Sequence, residues 1–142
     1  MSEFYDVNMD VQDVIRLRAS GDRAAGAVVW VAAPSSAGGV LADVAVSSSA
    51  TVRRAAVALH AIASGSIGLY CVRGPVQATV TSGNFTLGHG IESDGGNIED
   101  SSSAAVVSGA EAVTDFAVAL EDGSTVTTLM IYMLGLPYTS TT

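Results

Sequence analysis

The feature that most constrains this chain is an internal repeat. Ala56-Val57-Ala58-Leu59 recurs as Ala117-Val118-Ala119-Leu120, an offset of 61, and Gly74 maps onto Gly135 at the same offset. Upstream, Ser20-Gly21-Asp22 maps onto Ser82-Gly83-Asn84 and Gly26 onto Gly88, at an offset of 62. Gly38-Gly39 and Gly95-Gly96 sit in corresponding places. Two copies with a period near 60 do not make a solenoid, whose units are shorter and more numerous. A unit of about 60 residues alone is a marginal core. The copies are therefore expected to share or abut one core, or to gain burial from an oligomer.

The repeat reads as β structure. Short Ala/Val/Ile/Thr runs favour strands, and Gly/Ser/Asp/Asn clusters favour turns. No long amphipathic helical pattern occurs. The expected architecture is all-β, a small barrel-like fold of two related modules. Residues 1–18 form an N-terminal arm and first strand, 19–74 the first module, 75–138 the second, and 139–142 a mobile tail. The clearest hairpins are Arg54–Ala61 with Ile67–Arg73, and Asp115–Leu120 with Thr125–Leu134 across Asp122-Gly123. Gly74-Pro75 is expected to end a strand, since proline cannot continue a central ladder. Val76–Thr81 follows as a separate strand, Ser82-Gly83-Asn84 as a turn, and Phe85–Glu92 as a glycine-interrupted strand. Residues 101–112 read as a short helix or a loop.

Charge narrows the partners. All six basic residues are arginine and lie in the first 73 positions: Arg16, Arg18, Arg23, Arg53, Arg54 and Arg73. Six acids share that segment, so it is formally neutral. Residues 74–142 hold eight acids and no base, hence the whole net charge of −8. A nucleic-acid partner is not expected, because phosphate contacts need Lys or Arg. Only 14% of residues are charged, well below the roughly 25% usual for globular chains. That points to surface covered by partners. The charge asymmetry fits an arginine-bearing contact face in the first copy, and equally fits drift on solvated faces. No run of 18 apolar residues predicts a membrane span, and no secretory leader pattern opens the chain.

Constellations for chemistry are weak. His60 and His89 have no metal-ligand spacing around them, and the repeat replaces His60 with Glu121. Gly65-Ser66-Ile67-Gly68 lacks the nucleophile-elbow spacing. Without lysine there is no phosphate loop of the Walker type. Asp94, Asn97, Glu99 and Asp100 offer oxygen ligands for calcium but not the EF-hand order, and a turn followed by a polar strand explains them as well. Cys71 lies in an apolar run and reads as a small core residue. The expectation is no enzyme, no metal and no cofactor.

The residues Gly74-Pro75-Val76, Ala78 through Gly88, Asp94 through Ile98 and Phe116 through Gly123 follow an order of strand, Ser-Gly turn, strand, Gly-rich turn and Ala-Val-Ala-Leu strand. In this the chain resembles the decoration, or cement, proteins of tailed-bacteriophage capsids, and residues 19–74 echo the pattern more loosely. The resemblance implies a β-tulip fold and a homotrimer made in the host cytoplasm. It also implies a place on the capsid exterior, where such proteins bridge major capsid protein subunits, and it carries over no catalytic residue. On this reading Phe4, Tyr5, Val7 and Met9 form a docking arm. Arg16, Arg18, Arg53, Arg54 and Arg73 contribute to subunit or capsid contacts. The alternative is a carbohydrate-binding or adhesive module, for which Trp30, Tyr70, Tyr132 and Tyr138 are the aromatic candidates.

Overall fold

A computed structural model describes residues 11–32, 40–47, 52–104 and 114–139 of the chain. The arm residues Phe4, Tyr5, Val7 and Met9 lie outside the described residues, as do 105–112 of the segment read as helix or loop and 140–142 of the tail, whose first residue, Thr139, is in a strand instead. Among the described residues there is no helix. Eleven strands run β1 (Asp13–Arg18), β2 (Val28–Val31), β3 (Asp43–Ala45), β4 (Val52–Arg53), β5 (Ala55–Ala58), β6 (Ile67–Phe85), β7 (His89–Asp94), β8 (Asn97–Ala104), β9 (Asp115–Ala119), β10 (Gly123–Leu134) and β11 (Tyr138–Thr139). Nine of them form one curled sheet ordered β3-β2-β5-β6-β10-β9-β7-β8, with β1 also on β6. The remaining two, β4 and β11, pair with each other, and every strand pairing is antiparallel. The fold is all-β, as the composition and turn pattern require.

The pairing repeats residue for residue. In the first half β3-β2-β5 leads to the start of β6, which carries β1. In the second, β8-β7-β9 leads to β10, which carries the end of β6. Ala58 faces Tyr70 as Ala119 faces Ile131. Val29 faces Ala56 as Ile91 faces Ala117. Ile15 faces Tyr70, and Leu17 faces Gly68, as Val76 faces Ile131 and Ala78 faces Leu129. The turn bonds repeat too: the Gly26 N–H donates to Ala58 O, and the Gly88 N–H to Ala119 O. Both glycines hold a positive φ, +90° and +85°, a region that costs a residue with Cβ.

One strand serves both units. β6 ends the first pattern with Ile67–Arg73 and opens the second with Pro75–Phe85, so the expected break at Gly74-Pro75 does not occur. The ladder changes hands there. β5 pairs with β6 as far as Cys71, and β10 takes over from Arg73. Proline's missing N–H falls at that changeover, and Gly74 supplies a positive φ of +105° that bends the strand. An added Cβ at Gly74 would lie 2.5 Å from Val11 O, so no side chain fits. Ser82-Gly83-Asn84 is likewise not a turn but the irregular end of β6, where the register to β10 shifts. The turn comes later, at Thr86–Gly88. Ala104, expected to start a helix or loop, ends strand β8.

Two apolar clusters flank the sheet. The first unit's own core holds Leu17, Val29, Ala56, Ala58, Ile62, Tyr70 and Val72. The larger cluster holds the corresponding residues of the second unit, including Ala78, Ile91, Ala117, Ala119, Ile131 and Met133, with Leu129 where the first unit has Gly68. It adds Trp30, Ala55, Val57 and Cys71 from the other face of the first unit's sheet. β5 is therefore buried on both faces, which explains its sequence Ala-Ala-Val-Ala: small side chains fit a strand packed from both sides.

Candidate functional site

The five arginines proposed as contacts do not form one cluster. Arg16 and Arg18 lie on β1, directly across from Leu69 and Ile67 of β6, all four exposed. Cross-strand partners point to one side of a sheet, so the four make a mixed apolar and cationic face. Arg18 Nη1 also donates to Gly65 O at 2.8 Å. Arg73 is exposed on β6, and its aliphatic stem packs over Gly135. Arg53 is elsewhere, on β4, with its guanidinium 5.5 Å from the Trp30 ring centroid, a cation–π contact. Arg54 is exposed between β4 and β5. The structure thus brings Arg16 and Arg18 together and separates Arg53 and Arg54 from them.

The sixth arginine is structural. Arg23 Nε donates to Asp43 Oδ2 at 2.8 Å and Nη2 to Asp43 Oδ1 at 3.0 Å. The same carboxylate accepts from Ser20 N–H and Ser20 Oγ, each at 2.8 Å, and from Tyr70 OH at 2.7 Å. Burial raises the Asp43 pKa, but the hydrogen bonds from Arg23, Ser20 and Tyr70 outweigh it, leaving the carboxyl at about 2. Burial, with the Asp43 bond, pushes the Tyr70 phenol up. Sequence reasoning missed this network, since its members are up to 50 positions apart (70 − 20).

Neither histidine stands alone. The Leu69 N–H donates to His60 Nε2 at 3.1 Å, and the corresponding Met130 N–H donates to Glu121 Oε1 at 2.9 Å. Histidine and glutamate do the same work, capping one exposed backbone N–H, so the repeat conserves the role and not the residue. His89 Nδ1 lies 2.9 Å from Asp100 Oδ1 beside a cavity of about 500 Å³ that Asn84, Thr86, Glu99 and Ser102 help to line. Burial works to raise the Asp100 pKa. The bonds from His89 and from the Ser102 and Thr86 N–H groups prevail and hold it below the usual carboxylate range. Asp94 and Asn97 face each other across the β7–β8 hairpin, and Asp100 is engaged by these donors.

Three of the four aromatic candidates for a sugar platform are buried. Trp30, Tyr70 and Tyr138 are fully enclosed, and Tyr132 is half-buried. Trp30 Nε1 donates to Tyr138 OH, and the Tyr138 ring meets Phe116 at a centroid distance of 5.1 Å. These rings join the two units instead of facing solvent, so of the four candidates only Tyr132 stays partly accessible. Cys71 is buried, and burial raises its pKa. It is a core residue.

The class this defines is an all-β protein of two fused, equivalent units. No protein-family profile matches the chain, and no curated protein does. Among solved structures it is similar to the N base of the head fiber protein gp8.5 of bacteriophage phi29. The TM-score is 0.55 at 11% sequence identity, covering 89% of this chain and 98% of that one. The likeness spans both chains nearly end to end and is one of fold.

Proposed function

We propose that this chain is a structural protein of a bacteriophage virion. It binds the outer surface of the capsid as a homotrimer and stabilises the shell by bridging major capsid protein subunits. The observation that carries the reading is the fold shared almost end to end with the base of a phage head fiber. The resemblance of the chain, over most of residues 19–137, to capsid decoration proteins supports it independently. The physics suits the role: one continuous sheet with β5 buried on both faces gives a firm body, and many modest contacts repeated over a lattice give high avidity. No catalysis is required.

The arginines of the first unit are the proposed polar contacts, with Arg53 and Arg54 on one side and Arg16 and Arg18 on another. Residues 3–9 are the proposed docking arm. The test is cosedimentation of the purified chain with capsids that lack it. The chain should pellet with the particles. The double substitution Arg53→Glu with Arg54→Glu, and deletion of residues 2–10, should each reduce binding. A folded chain that never pellets with capsids would overturn the reading.

A further inference from the structure

The two units meet through a contact that can be extended. At the end of the first unit, Ala25, Gly26 and Leu59 face Gln77, Thr79, Thr128 and Met130 of the second across a cleft. The approach is close: an added Cβ at Gly26 would lie 3.2 Å from Thr79 Oγ1 and 3.4 Å from Gln77 O. Each of these residues has an equivalent by strand register. Ala25, Gly26 and Leu59 correspond to Leu87, Gly88 and Leu120 at the far end of the second unit. Gln77 and Thr79 correspond to Arg16 and Arg18, and Thr128 and Met130 to Ile67 and Leu69.

These equivalents account for four of the large apolar side chains left in solvent: Leu87 is 59% exposed, Leu120 40%, Ile67 43% and Leu69 44%. At the second unit's end a leucine replaces Ala25, so that end projects further. The charges are opposite. Glu121 and Asp122, both exposed, follow Leu120, whereas Arg16 and Arg18 flank Ile67 and Leu69.

We propose that the occupant of each face is the opposite face of a second copy of this chain. The Leu87-Gly88/Leu120 end of one protomer docks on the Arg16/Arg18/Ile67/Leu69 face of the next, reproducing between copies the contact made within each. The inference rests on the reading that the chain self-associates, and it names the surfaces. One feature is not reproduced. The Thr79 N–H donates to Gly26 O, whereas the Arg18 N–H already donates to Leu41 O of its own chain, so the contact between copies is made by side chains. Such a contact is heterologous: it closes into a ring or continues as a filament, and it cannot form a two-fold dimer.

The test uses the full chain. Leu120→Cys and Leu69→Cys are made separately, mixed, and treated with a short bismaleimide. The unsubstituted chain, whose Cys71 is buried, sets the background. Crosslinked dimer should form in the mixture at least tenfold above either variant alone. A chain carrying both cysteines should give a ladder or a closed ring. Adding Arg16→Glu and Arg18→Glu should reduce the mixed crosslink, with circular dichroism checking that the sheet is intact. A chain that is monomeric by light scattering at all concentrations would overturn both the interface and the homotrimer. A homotrimer that fails to crosslink in the mixture, or crosslinks only between like variants, would overturn the interface alone.

Discussion

Replacing Asp43 by isoleucine should cost about 3–5 kcal/mol, the range for removing one partner of a buried ion pair. The figure follows from what remains. Asp43 has no exposed side-chain surface and accepts five hydrogen bonds, two of them from Arg23. Without it, a largely buried guanidinium and the Tyr70 hydroxyl lose their acceptor. The second unit shows how the same place is filled without charge. By register, Asp43 corresponds to Ile98, Tyr70 to Ile131 and Arg23 to Phe85, all three in the larger apolar cluster. The triple substitution Arg23→Phe, Asp43→Ile and Tyr70→Ile should therefore recover most of the loss, since a buried ionic group exchanged whole for apolar residues is often neutral or better. Urea unfolding reads the difference. With a slope of about 2 kcal/mol per molar, the single variant's midpoint falls by roughly 2 M and the triple's by well under 1 M. pH gives a second reading. The Asp43 carboxyl is depressed in the folded state, so its contribution is full above the unfolded value near 4 and is lost as pH falls through about 2. That contribution is about 2 kcal/mol by linkage, and the triple variant lacks it. If the triple is as unstable as the single, the equivalence of the two cores is wrong.

Three further outcomes follow from the packing. A Cβ at Gly68 would lie 2.2 Å from Ile62 Cδ1, so Gly68→Ala should cost ~1–3 kcal/mol. Shortening the neighbour by Ile62→Ala should make the pair less than additive in urea unfolding. Glu121→Ala removes the acceptor of the Met130 N–H and should cost about 1 kcal/mol. Glu121→His, copying His60, should cost less by the same measurement. Tyr138→Phe leaves the Trp30 N–H without its acceptor. It should lower the unfolding midpoint by the equivalent of about 1–3 kcal/mol and shift the emission of this single tryptophan.

Much of the frame was legible in the sequence because glycine marks fixed backbone conformations. Gly26 and Gly88, found as a pair 62 positions apart, occupy the same turn with the same left-handed φ. The Ala-Val-Ala-Leu segments fell on equivalent strands because small residues are what a doubly covered strand admits. Local rules failed where a long-range partner overrode them. Pro75 and Ser82-Gly83-Asn84 have turn chemistry, yet β10 runs alongside and holds them in β6. The Asp43 network joins three separate segments, the loop of Ser20 and Arg23, Asp43 on β3 and Tyr70 on β6, and no spacing rule announces it. The candidate site was legible only in part: the arginines were found as a set, but pairing to β6 put Arg16 and Arg18 on one face while Arg53 went to Trp30.

Residue order and composition alone specify an all-β chain made twice from one pattern, acidic in its second half and poor in charge. Turn residues and small apolar runs act locally, so they can be read locally. Long-range pairing placed β6 in both units and set the rings of Trp30 and Tyr138 between them. It also decided which apolar side chains stay in solvent. Those outcomes depend on register between distant strands, where a single-residue slip would turn every buried side chain outward.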